Sequence, residues 1–101
     1  MANNYIVRYL PAAVDDLISI FDWIAEDSPA NAADFIAKLD QRIGNLKTHP
    51  FLGHIPRDDK LKSSGYRILV IDSFLAFYIV RGKTLEIHRV IDGSRNLDDI
   101  I

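Results

Sequence analysis

Four arginines and a histidine gather towards the end of this sequence: Arg67, Arg81, His88, Arg89 and Arg95. Arg57, Lys60 and Lys62 lead up to them. Cations grouped in this way can meet a phosphate or an acidic protein surface, and a histidine titrates near neutrality and can act as a general base. Cleavage of RNA by its own 2′-hydroxyl needs a base, cations for the charge growing on the phosphate, and an acid for the leaving oxygen. Arg67, His88 and Arg89 are the residues that would serve such a reaction. The plainer reading is that each cation is a solvated strand or loop charge, paired with Asp72, Glu86 or Asp92. His88 has no acid partner identifiable from sequence. His49, His54 and His88 lack metal-ligand spacing and there is no cysteine, so no metal is expected. There is no glycine-rich phosphate loop, nucleophile elbow or catalytic carboxylate pair, and no cofactor is expected.

The segment that must position these residues runs from Gly65 to Ser94. Three runs rich in β-branched and aromatic residues are separated by Asp72-Ser73 and by Arg81-Gly82-Lys83. Runs this close together can pair only as antiparallel neighbours. The pattern predicts a meander of Tyr66 to Ile71, Phe74 to Val80 and Thr84 to Ile91. Strict alternation places Glu86, His88 and Val90 on one face, and Phe74, Ala76, Tyr78 and Val80 on another. The second set is apolar around Tyr78, so Tyr78 reads as core; tyrosine hydroxyls are expected to reach water.

Upstream, Asn4 to Leu10 reads as a short strand with Tyr5, Val7 and Tyr9 on one face. Pro11 opens a helix with Val14, Leu17, Ile18, Phe21, Ile24 and Ala25 at helical spacing as its apolar stripe. Trp23 falls on its flank and reads as core rim. Ser28-Pro29 is an N-cap followed by a first-turn proline. The second helix carries Ala32, Phe35, Ile36, Leu39, Ile43 and Leu46 inward, and Pro50 ends it. Two such helices form a hairpin that must lie on the sheet. The stretch His49 to Ser64 reads as a long connection, with Phe51-Leu52 pinning its start to the core. Leu97, Ile100 and Ile101 are spaced as a helical turn in a short tail.

The 101 residues make a single domain, and 49% apolar content suffices for a core. A net charge of −2 argues against nucleic acid as the main partner. No basic segment followed by an apolar one opens the chain and no run has membrane-spanning length, so a cytoplasmic protein is expected. The element order gives an α+β two-layer domain of order β-α-α-β-β-β: a helical hairpin on one face of a four-stranded, mainly antiparallel sheet, with the other face left partly free.

Order and residues together resemble the RelE/ParE superfamily, the toxins of bacterial type II toxin–antitoxin modules. The resemblance spans nearly the whole chain. It is carried by the strand and turn from Tyr5 to Pro11; by His49-Pro50-Phe51-Leu52-Gly53-His54, similar to the family's P-x-x-G; by Tyr66 to Val70 with Phe74 to Tyr78; and by Leu85 to Leu97, similar to the family's closing I-x-R-V-x-H-G-x-R-x-L. RelE-like members resemble ribosome-dependent ribonucleases, and ParE-like members are described as inhibitors of DNA gyrase. Leu75 stands where the ribonuclease relatives often carry a basic residue, Asp92 where a family histidine is frequent, and the chain ends in Asp98-Asp99-Ile100-Ile101. The resemblance therefore implies a ParE-like growth inhibitor acting on a protein, with gyrase as the target and a cognate antitoxin as neutralising partner. Plasmid stabilisation is a role such modules imply. Target contacts would come from Arg67, Arg81, Arg89, Arg95, Leu97 and Ile100. A RelE-like ribonuclease and a relative that only binds its antitoxin are the alternatives. Homodimers and toxin–antitoxin hetero-oligomers are both left open.

Overall fold

The computed structural model describes residues 4–94. The elements follow as β1 (Ile6–Tyr9), α1 (Pro11–Ala25), α2 (Pro29–Gly44) running into a 3-10 turn (Asn45–Lys47), α3 (Asp59–Ser63), β2 (Arg67–Ile71), β3 (Phe74–Arg81) and β4 (Thr84–Asp92). The sheet order is β1-β4-β3-β2. β1 runs parallel to β4, and the other two pairings are antiparallel. The helical hairpin is the crossover that a parallel pairing requires. The expected α+β two-layer architecture is therefore the one observed. Asp72 and Gly82 open the two-residue loops of the meander with φ of 55° and 59°, as tight hairpin turns demand. No helix among the described residues is long and apolar enough to cross a membrane.

The main core lies between the hairpin and the sheet. Ala13, Ile20, Leu39 and Ile43 from the helices meet Ile71, Tyr78, Leu85 and Ile87 from the strands. Ser28 caps α2 by accepting a hydrogen bond from the Asn31 amide at 3.2 Å. The apolar stripe of α1 is partly the expected one: Leu17 and Ile24 pack against the core. Ala13 and Ile20 are buried, while Val14, Ile18 and Phe21 are exposed. Asp16 ties this helix to β4, its carboxylate accepting from Arg89 and from the Val90 amide. Trp23, read as core rim, is 64% exposed.

The opposite face of the sheet carries a second, smaller core: Leu61 from α3 with Ile68, Phe77 and Ile91. The connection between α2 and β2 thus covers part of the face expected to be free. Asp58 caps α3 by accepting from the Leu61 amide at 3.0 Å. The connection is not pinned by Phe51 and Leu52, which are both more than half exposed. It is held by polar contacts: His54 and Ile68 exchange two backbone hydrogen bonds of 2.9 Å, and Tyr78 grips Pro50 and Gly53. The Tyr78 hydroxyl accepts from the Gly53 amide at 2.8 Å and donates to the Pro50 carbonyl at 2.9 Å. That hydroxyl was expected to be wet; it is tied to backbone instead.

Candidate functional site

The register of β3 against β4 shifts between Phe77 and Tyr78, because Phe77 pairs with Arg89 and Tyr78 with Ile87. His88 is the extra residue of this β-bulge, and a bulge re-aims the side chains around it. Val90 therefore points into the main core, not to the face of His88 as alternation predicts. His88 lies on the other side with Glu86 and Tyr66. Its Nδ1 is 3.0 Å from the Tyr66 hydroxyl and its Nε2 is 3.2 Å from Glu86 Oε1. The two rings meet edge-on, 5.1 Å apart at 84°. Glu86 Oε1 also accepts from Arg81 Nε at 2.8 Å.

The result is a chain of four polar groups: Arg81 of β3, Glu86 and His88 of β4, and Tyr66 just before β2. The Arg81 hydrogen bond, opposed by burial and helped by His88, holds the Glu86 carboxyl below its ordinary range. Burial pushes the Tyr66 phenol up. With Nε2–H donating to Glu86 and Nδ1 accepting from Tyr66, a neutral His88 has both ring nitrogens engaged; this tautomer follows from the hydrogen-bond pattern. A carboxylate, an imidazole and a phenol in contact can pass a proton. They equally fix the ring in place.

The other arginines are held elsewhere. Arg89 donates from Nε and Nη2 to Asp16 at 2.7 and 2.9 Å, and Asp16 also accepts from the Val90 amide at 2.9 Å. The Asp16 hydrogen bond and charge push the Arg89 guanidinium up against an opposing burial effect. Arg67 donates to the carbonyls of Gly53 at 2.8 Å and Phe51 at 3.3 Å, and its guanidinium lies 5.0 Å over the Phe51 ring. The expected site residues thus separate into three places: Arg81 with His88, Arg89 beside α1, and Arg67 at the start of β2, against the loop that carries Phe51 and Gly53. Arg95, Leu97 and Ile100 lie outside the described residues. Among those described, no group of three or more histidine, cysteine or acidic residues is arranged to hold a metal ion. Sequence reasoning missed Asp16, which nothing local separates from Asp15. It also left the acid partner of His88 unassigned: alternation puts Glu86 on the same face, but spacing alone does not give the 3.2 Å contact between them.

The sequence matches the family described as the ParE toxin of the type II toxin–antitoxin system parDE over residues 7–97. The chain belongs to the ParE toxin family. It is thereby a toxin of the type II toxin–antitoxin class, within the RelE/ParE superfamily. Among solved structures, this ParE-family chain resembles one from the chromosomal ParDE system of P. aeruginosa, with 20% identity, a TM-score of 0.74, and coverage of 89% of this chain and 97% of that one. It also resembles a chain of the RelBE2 toxin–antitoxin complex of Mycobacterium tuberculosis, at 22% identity and a TM-score of 0.62, covering 88% and 98%. At these identities the likeness is one of fold. Comparison with curated proteins yields no match.

Proposed function

We propose that this ParE-family toxin acts in the cytoplasm by binding a protein, that the protein is DNA gyrase, and that a cognate antitoxin neutralises it. One observation carries the choice of a binding mechanism over a nuclease. Three of the four described sheet arginines, Arg8 being the fourth, are committed: Arg81 to Glu86, Arg89 to Asp16, Arg67 to two loop carbonyls. A nuclease would need cations aimed together at the place where phosphate charge develops. These three point to three places and already have partners. Gyrase as target rests on family membership and on the sequence features that depart from the ribonuclease pattern, Leu75 and Asp92 among them. The reading needs no cofactor or metal. The neighbouring ParDE and RelBE2 structures are of toxin–antitoxin systems, which supports an antitoxin partner here, and a disordered antitoxin end that folds on binding would bury apolar surface left exposed on the free toxin.

The test is a supercoiling assay with purified protein. Inhibition is expected, weakened by Arg95→Ala or by ending the chain after Ser94. One feature favours a second reading: the proton-transfer array of Tyr66, His88 and Glu86. In that case messenger RNA would be cut in a translation extract, and cutting would be lost on replacing His88 or Arg67. Absence of both activities, with growth unaffected on expression without antitoxin, would leave a protein that only binds its antitoxin.

A further inference from the structure

Three shallow hollows run together at the end of the molecule where α1 turns into α2. The first, about 280 Å³, lies between Ile20 and Trp23 of α1 and the strand residues Phe74 and Ile91. The second, about 210 Å³, lies at the turn, between Trp23, Glu26 and Asn31. The third, about 370 Å³, lies along α2, between Ile24, Phe35 and Lys38. Trp23 lines the first and second, and Ile24 and Asn31 line the second and third. Neighbouring hollows thus share walls and make a stepped groove, with Trp23 between the first and the second. This indole, 64% exposed, is the kind of side chain that dominates binding when a partner covers it.

The charge around the groove is mostly acidic. Glu26, Asp27 and Asp34 line it and carry no ion pair among the described residues. The cation at its rim, Lys38, is neutralised by Asp72 at 2.8 Å. α1 itself contains Asp15, Asp16 and Asp22 and neither lysine nor arginine. A second copy is a poor occupant: in a two-fold pairing the same patch meets itself, and here acid would meet acid. An apolar floor under an acidic rim is complemented by a cationic segment with one apolar face.

We propose that the groove around Trp23 is a docking site for a lysine- or arginine-rich amphipathic segment of a partner protein, with an apolar side chain seated on the indole and cations against Glu26, Asp27 and Asp34. It stands apart from the choice of toxin target. Trp23 is the chain's only tryptophan, so tryptophan emission reports on the groove alone. The probe is a tryptophan-free peptide of about fourteen residues, four helical turns, built of leucine and lysine in amphipathic order and carrying a dye for anisotropy; its control replaces lysine with glutamate. The lysine peptide should shift Trp23 emission to the blue, saturably and less so in high salt. Each of Glu26→Gln, Asp27→Asn and Asp34→Asn should weaken binding about two- to fivefold, and Asp59→Asn, in α3, should leave it unchanged. Trp23→Ala should weaken the anisotropy signal about tenfold or more. Urea midpoints verify that each variant is folded. Equal binding of the glutamate peptide, or equal losses from Asp59→Asn and the groove variants, overturns the proposal. So does emission that shifts with protein concentration alone, which would put a second copy in the groove, or a groove that binds the peptide only when the chain ends after Ser94, which would put residues 95–101 there.

Discussion

Replacing Tyr78 by phenylalanine removes one oxygen atom from the centre of the fold. The ring is completely buried, and phenylalanine keeps its packing. What is lost is the clasp on the loop: the 2.8 Å bond from the Gly53 amide and the 2.9 Å bond to the Pro50 carbonyl. Gly53 is itself buried, so its amide would have no partner, at a cost of about 1–3 kcal/mol. The Pro50 carbonyl is only half-buried and can turn to water, adding about 0.5–1 kcal/mol. Part of this is offset because the buried phenol no longer has to be desolvated. A net loss of about 2 kcal/mol follows, roughly 8–16 °C in Tm for a domain of 101 residues. Urea unfolding measures it as a lower midpoint at unchanged slope. Tyr66→Phe is the internal standard: it loses one bond to His88 in a partly exposed place and should cost about 0.5–1 kcal/mol. Gly53→Ala attacks the same clasp from the other side, because its Cβ would lie 2.7 Å from the Tyr78 hydroxyl and 2.8 Å from the Ile68 carbonyl oxygen. It should be at least as harmful as Tyr78→Phe. If Tyr78→Phe costs no more than Tyr66→Phe, the loop is held by something else and the reasoning is wrong.

Asp16→Ala removes the acceptor shared by the Arg89 guanidinium and the Val90 amide, at a site where the aspartate side chain is 13% exposed; a loss of about 2–4 kcal/mol is expected in urea unfolding, with Asp16→Asn milder. The phenols of Tyr9, Tyr66 and Tyr78 are all raised, chiefly by burial, and Tyr9 further by its hydrogen bond to Asp40. Unfolded tyrosines ionise near 10, so these groups stabilise the fold below that pH and the stability is lost as pH rises beyond it. Ultraviolet titration should show late phenolate formation, and Asp40→Asn should bring one phenol part of the way back. Glu86 is lowered from 4.5 by Arg81 and His88, so its contribution is present above that value and lost as pH falls below it. Glu86→Gln should therefore destabilise near neutrality, and its difference from the parent should vanish in acid.

The meander was legible because its runs of β-branched and aromatic residues are long and its turns short. The breaks read at Asp72-Ser73 and Arg81-Gly82-Lys83 are two-residue loops, Asp72-Ser73 and Gly82-Lys83, with Arg81 belonging to β3. Ser28-Pro29 likewise announced the start of α2. Other features were hidden for identifiable reasons. α3 has five residues, too few to show a helical period, although the Asp58 cap was in plain view. α1 is tied to β4 by Asp16, which bonds to residues more than seventy positions away, and no local pattern distinguishes Asp16 from Asp15. The bulge at His88 exchanges faces partway along β4. A reader of alternation is right before it, where Glu86 shares the face of His88, and wrong after it, where Val90 turns into the main core.

The Pro50-Phe51-Leu52-Gly53 segment shows how a short motif can carry a physical meaning that its letters do not. Its first residue supplies a carbonyl and its fourth an amide, and both close on one hydroxyl, that of Tyr78. Glycine is required in the fourth place by space rather than by backbone angle, since a Cβ there would overlap the tyrosine ring. The carbonyl of the same glycine receives Arg67, and the Arg67 guanidinium lies over Phe51. Sheet, loop and arginine are consequently one mechanical unit that holds Phe51 outward, 58% exposed. The Arg67 side chain acts through that unit: it sets how an apolar ring is presented, and its charge is already shared with two carbonyls. An arginine in this position suits a surface that meets another protein by shape and apolar contact, and it is poorly placed to meet a phosphate.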